Sequence, residues 1–188
     1  MTRKTTPFNR ALADARPSAT RTLIDKVSDA RARGAPIIAL CAEESEAETP
    51  AHIRAAAIRA IADGNTRHTP VAGLRGLREA VAAKFARDNG LEVEWTHTLV
   101  CSGASHVVFN ALAATLHQGD EVVIPAPCWE RYPQIVRLCG ATPVMIACAE
   151  AEGFKVTPGQ LAAALTRKTR WVILNAPSNP TGAAYTKA

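Results

Sequence analysis

From Thr98 onward the hydrophobic pattern alternates between a strand period and a helix period, and this alternation restricts the fold more than any other feature of the chain. Apolar runs at Thr98–Ser102, Val122–Pro125, Thr142–Ala147 and Trp171–Asn175 read as strands. The segments between them, Ala104–His117, Tyr132–Leu138 and Thr157-Pro158 to Leu165, read as helices, with turns at Gly119-Asp120 and Gly140. Four strands separated by helices predict an α/β, three-layer αβα architecture with a mostly parallel sheet covered on both faces.

The first hundred residues read as helical. Ser18 or Thr20 caps a helix carrying Leu23 and Val27 and ending at Gly34, and a short strand follows at Ile37–Cys41. Thr49 is a suitable N-cap with Pro50 at the first helical position, Ile53, Ala57 and Ile61 recur at i+4, and Gly64 closes that helix. A third helix is predicted from about Leu74 to Asn89, with Leu77, Val81 and Phe85 as its buried stripe and Asn89-Gly90 as its stop. We divide the chain into an arm and small-domain segment at 1–48 and an incomplete large domain at 49–188.

Composition then narrows the function classes. With 47% hydrophobic and 21% charged residues the chain has the makeup of a globular domain with a core. No apolar run approaches the roughly 18 residues of a membrane span, and no secretory signal precedes it, so no membrane partner is expected and cytoplasm is the default compartment. Arg3, Lys4, Arg10, Arg16 and Arg21 stand against one acid, Asp14, so most of the formal +5 charge is N-terminal. Without a nucleic-acid-binding motif behind it, such an arm reads as a solvated or subunit-clasping tail, and no nucleic-acid partner is expected. The five cysteines are scattered and never spaced Cys-x-x-Cys, and the five histidines show no metal spacing, so neither a disulfide framework nor a metal site is indicated.

Three strand ends carry candidate chemistry. Gly103-Ala104-Ser105 lies where a strand turns into a helix, and small residues there let an anion approach the free N–H groups of the first turn; the same residues also make tight turns that bind nothing. Trp129 follows the next strand through Pro125-Ala-Pro127-Cys128, placed either to stack on an aromatic ring or to cap the core. Asn179 sits in Asn175-Ala-Pro-Ser-Asn-Pro-Thr-Gly182, where two prolines and a glycine build a rigid loop; an ordinary proline-rich turn has the same composition. A phosphate cradle, an aromatic platform and a fixed amide together describe a site for a phosphorylated aromatic heterocycle.

Beyond these residues the chain resembles the fold-type I, class I/II pyridoxal-phosphate aminotransferases, in their aspartate-aminotransferase-like branch. The resemblance rests on an ordered set: Pro17-Ser18-Ala19-Thr20, Thr49-Pro50, Ala72-Gly73-Leu74 with Leu77-Arg78, Lys84-Phe85 with Asn89-Gly90-Leu91, Gly119-Asp120-Glu121-Val122, Trp129 with Tyr132-Pro133, and Asn179-Pro180-Thr181-Gly182. It implies pyridoxal 5'-phosphate as cofactor, amino acids and 2-oxo acids as substrates, and a homodimer. By the same resemblance Gly103, Ala104 and Ser105 hold the cofactor phosphate, Trp129 stacks on the pyridine ring, Asn179 bonds the ring hydroxyl oxygen and Asn175 shapes the pocket. Backbone from Cys41 to Glu44 lies near the substrate carboxylate, and Trp129 and Asn179 also face the substrate. The 65–72 loop, through His68, reaches the partner subunit's phosphate.

Several positions depart from the family pattern. Glu43 replaces a glycine near the substrate carboxylate, where an anion repels, His68 replaces a tyrosine, and Ser45 and Ala47 replace proline and phenylalanine. Ser105 stands where members acting on acidic substrates often carry a lysine, which weighs against aspartate as donor. The lysine that condenses with the cofactor and moves the proton is expected beyond residue 188, so no catalytic residue is assigned, and Lys155, Lys168 and Lys187 lack its context. The reading is therefore the N-terminal half of an aminotransferase, inactive alone, with a non-catalytic remnant or fragment product as the alternative. A regulator with an aminotransferase-like domain would need a DNA-binding domain ahead of Ser18, for which we see no room.

Overall fold

Alternation along one strand sets the layers of this molecule. In a computed structural model describing residues 18–41, 45 and 47–186, Val122, Val123 and Ile124 are fully buried in consecutive positions of a central strand. Successive side chains of a strand point to opposite faces, so this triplet demands cover on both sides.

The chain forms two compact units, one comprising Ala19–Ser102 and the other Ser18 with the residues from Gly103 on. The first holds α1 (Ala19–Ala32), α2 (Ala51–Ala62) and α3 (Arg75–Lys84), the last continuing as a π-turn over Phe85–Asn89, and a 3-10 turn at Trp95–His97. The second holds α4 (Ala104–Thr115), β1 (Glu121–Ala126), α5 (Arg131–Leu138), β2 (Thr142–Ala147), a 3-10 turn at Glu150–Glu152, α6 (Pro158–Ala164) and β3 (Thr169–Val172).

The sheet runs β2-β1-β3, parallel throughout. β1 pairs with β2 over six residues, from Glu121↔Thr142 to Ala126↔Ala147. Its pairing with β3 carries a bulge, because Glu121 faces Thr169 while Val122 faces Trp171. The chain leaves β1 in one direction through α5 and returns past it through α6. With crossovers of one hand, such a reversal places the two helices on opposite faces. The core agrees: Val122 and Ile124 pack with Leu112, Leu116, Ile135, Val136 and Ala141 of the α4 and α5 side, whereas Val123 packs with Ile146 and Cys148, flanked by Leu161 and Ala164 of α6. Each fully buried valine, leucine or isoleucine contributes about 1.5–3 kcal/mol. The three-layer αβα expectation therefore holds for the sheet unit.

Two expected strands are absent from the ladder. At Thr98–Ser102 the backbone groups are engaged otherwise: the Arg78 guanidinium donates to the carbonyls of Thr96 and Thr98, both at 2.9 Å, and Val100 N–H donates to Ala72 O at 3.1 Å. Ile37–Cys41 likewise pairs with no strand among the described residues, and Ile38 and Leu40 are exposed. An apolar run becomes a strand only where a neighbour's free backbone pairs with it, and among the described residues neither of these runs is so paired. Helix details shift as well. Pro50, not Thr49, is the N-cap of α2, and Leu77 of the expected buried stripe is half exposed. Gly90, with φ 64°, closes the third helix as its sequence suggests, its N–H bonded to Phe85 O.

Candidate functional site

A switch point lies between β1 and β3, where the chain's crossovers diverge from the central strand, and ligands of open α/β sheets bind outside the carboxyl ends of strands at such a point. The segments that leave β1 and β3 line one narrow cleft, formed by Pro125, Pro127, Cys128 and Tyr132 from the first and Ile173, Leu174, Asn175 and Ser178 from the second, with Phe154, Ala183 and Tyr185 closing it.

Asn175 and Asn179 hold the second segment in shape. The Asn175 side-chain oxygen accepts from the backbone N–H of Asn179 at 2.9 Å, and Gly182 N–H returns to Ser178 O at 2.7 Å. This is an Asx-type closure in which one amide organises the backbone carrying the other. Asn179 is half-buried and Asn175 exposed.

On the first segment Trp129 is half-buried and meets Tyr132 edge-on, with ring centroids 5.3 Å apart and planes at 85°. That contact fixes the indole without covering both of its faces. Burial pushes the Tyr132 phenol and the Cys128 thiol up from their ordinary values, with the neighbouring Cys128 adding to the shift of Tyr132. Both groups are therefore protonated at neutral pH and serve as packing and donor groups rather than nucleophiles.

Gly103 caps α4 with φ 82° and ψ 167°, and its carbonyl accepts from the N–H groups of His106 and Val107. Gly103 and Ala104 are exposed, and a Cβ at 103 would meet no atom within 4 Å. The turn is thus open to an approaching group, with no side chain in front of the helix N-terminus at this residue. Ser105 connects it to the Trp129 segment: its hydroxyl accepts from Arg131 Nη1 at 2.8 Å, and the same guanidinium lies 5.3 Å over the Trp129 ring. Arg131 is the residue of this constellation that the sequence pattern does not announce, because an arginine opening a helix looks like ordinary solvated charge.

The structure thus links Ser105 to Trp129 through Arg131, and it places Asn175 and Ser178 in the cleft with Tyr132, whereas Gly103, Ser105, Trp129 and Asn179 are not among the residues that line it. His68 belongs to the other unit and is exposed there. Glu43 lies outside the described residues. No lysine lines the cleft among the described residues, and no cluster of three metal-ligating side chains occurs among them. No helix is long and apolar enough to cross a membrane.

Comparisons with known proteins bear on the family of the chain. The chain is 48% identical over 176 residues to a probable aspartate/prephenate aminotransferase of Rhizobium leguminosarum bv. phaseoli, and 44% identical over 177 residues to an aspartate aminotransferase of Geobacillus stearothermophilus. These alignments cover 94% of the chain but 44% and 45% of the relatives, so the chain spans less than half their length. Among solved structures, an aspartate aminotransferase from Thermus thermophilus with maleate superposes with a TM-score of 0.95 at 39% identity, covering 97% of this chain and 48% of that one. The family described as Aminotransferase class I and II matches residues 35–188, most of the chain. The chain belongs to the class I and II aminotransferases.

Proposed function

We propose that this chain supplies the cofactor-holding N-terminal portion of a pyridoxal-phosphate-dependent aminotransferase, which moves an amino group from an amino acid to a 2-oxo acid. The observation that carries the reading is the contact chain Ser105–Arg131–Trp129, which puts an anion-accepting helix turn and an aromatic platform side by side. Those are the two features a phosphorylated aromatic ring requires, and the open Gly103 turn leaves room for it.

In this reading the Gly103-Ala104 backbone and Ser105 bind the phosphate, Trp129 orients the ring by stacking, and Asn179 donates to the ring hydroxyl oxygen. Asn175 positions Asn179 through their hydrogen bond. Tyr132 holds the indole plane through its edge-on contact. When held by these residues, pyridoxal phosphate would supply an electron sink for loss of the α-proton of an amino acid. Glu43, His68, Trp129 and Asn179 are the residues we assign near the substrate or the partner subunit, within a homodimer. The unbridged thiols of Cys41, Cys128, Cys139 and Cys148 support a reducing compartment, the cytoplasm. Residues 1–48 remain our arm and small-domain segment, and 49–188 our incomplete cofactor domain.

The test is cofactor binding with chemical trapping. The expected result is that pyridoxal phosphate binds this chain weakly, that borohydride reduction labels no single lysine stoichiometrically, and that transamination emerges only when the rest of a full-length relative is supplied as a second polypeptide. One stoichiometrically labelled lysine with turnover in the chain alone would overturn the assignment of the proton-moving lysine to another segment. No binding of pyridoxal phosphate at all would remove the cofactor reading.

A further inference from the structure

Arg131 places positive charge where the local structure already has it. It is the first residue of α5, an end at which free N–H groups favour an anion. Its guanidinium reaches Ser105 in the first turn of α4, a second helix end of the same sign, at 2.8 Å. Among the described residues no carboxylate lies within ion-pair distance of it. The adjacent Glu130 carboxylate accepts instead from the Ser18 hydroxyl. A cation held between two helix N-termini without a counter-ion contradicts local electrostatics, and such contradictions concentrate at sites where a ligand relieves them.

We infer that Arg131 is an oxyanion anchor of the proposed site, its guanidinium and Ser105 together taking a phosphate or carboxylate oxygen of a ligand seated against Trp129. The inference rests on the cofactor reading above. The guanidinium is a planar fork with five donors. One N–H is used by Ser105 and one face by Trp129, which leaves in-plane donors suited to two oxygens of one anion. The two packed contacts also restrict the side chain before any ligand arrives, so little rotamer freedom is lost on binding. The oxyanion has two possible sources, the cofactor's phosphate and the substrate's carboxylate.

The experiment compares the 188-residue chain with Arg131→Gln and Arg131→Lys by calorimetric titration of pyridoxal 5'-phosphate, of pyridoxal, and of succinate at saturating pyridoxal phosphate. Circular dichroism melts check that both variants fold, as expected for exchanges at an exposed position. The expected result is an affinity for pyridoxal phosphate lowered about tenfold or more in Arg131→Gln, unchanged for pyridoxal, and only partly restored in Arg131→Lys, which returns the charge but not the planar fork. A loss confined to succinate supports the anchor and assigns it to the substrate carboxylate. Unchanged affinities for all three ligands in a folded Arg131→Gln overturn the inference, while a wild-type preference for pyridoxal phosphate over pyridoxal keeps the cofactor reading. A wild-type chain that does not distinguish those two ligands overturns both.

Discussion

Gly103 is the residue at which backbone conformation and site chemistry are least separable. Its φ of 82° and ψ of 167° belong to a region essentially restricted to glycine, and the first turn of α4 is aimed by it. Because nothing lies within 4 Å of a Cβ built there, the effect of Gly103→Ala comes from backbone strain and not from collision. We expect a loss of about 1–3 kcal/mol in denaturant unfolding of the sheet unit. Weaker binding of pyridoxal phosphate should accompany it, since relief of the strain reorients the N–H groups of the cradle. An unchanged unfolding midpoint would contradict the strain. Gly103, Ser105 and Trp129 were legible because small residues and a large aromatic directly follow apolar runs, a local signal. Arg131 was not, since its meaning depends on Ser105, 26 positions away in sequence. Asn175 was legible as part of a rigid loop, but its bond to the Asn179 backbone could be known only from the folded turn.

At the scale of elements, the Gly119-Asp120 turn shows how one side chain links three of them. The Asp120 carboxylate accepts from His117 N–H at 2.8 Å, closing the exit of α4, and pairs with Arg170 in the β3 bulge at 3.4 Å, immediately before β1. The His117 backbone donor, followed by Arg170, holds the Asp120 carboxyl below its ordinary value. A carboxylate with a lowered folded-state pKa contributes stability above its unfolded pKa, and that contribution is lost as pH falls through the folded value. Asp120→Asn should therefore lower the melting temperature at neutral pH, with the gap to wild type narrowing in acid below the ordinary aspartate range. A gap independent of pH would show that the hydrogen bond to His117, and not the charge, carries the effect. Elements with strong local signals were read correctly from sequence: α6 opens at Thr157-Pro158, where the structure adds a capping box with Gln160, and β2 spans Thr142–Ala147 as expected. The strands expected at Ile37–Cys41 and Thr98–Ser102 failed for a non-local reason. Hydrophobic pattern reports burial tendency, whereas a strand is defined by a partner, and Arg78 reaches the 96–98 carbonyls from a helix twenty positions earlier.

Across the whole molecule the distribution of burial is uneven, and this has a measurable result. Every buried apolar side chain among the described residues lies in the sheet unit. In the helical unit Ile38, Leu40 and Val71 are 89%, 92% and 98% exposed, and Ile58 and Ile61 about two-thirds exposed, so its helices lack a core of their own. Within the sheet unit an apolar groove of about 310 Å³ runs between α4 and β3, lined by Val107, Ala111, Trp171 and Ile173. The outer edges of β2 and β3 pair with no strand among the described residues. Open edges and contiguous apolar surface both recruit other chains. The relatives are more than twice as long, so their remaining sequence offers surface that this chain does not contain. The chain by itself should therefore self-associate, giving a broad mass distribution by size-exclusion chromatography with light scattering that moves upward with concentration. Its denaturant transition should report chiefly the sheet unit, where the packed side chains are. Exchange of Ile61 and Val71 for lysine should narrow the distribution without shifting that transition, because both side chains are exposed in the other unit. A sharp, reversible, monomeric unfolding transition of the unaltered chain would mean that the helical unit satisfies its apolar surface in a way these exposures do not allow.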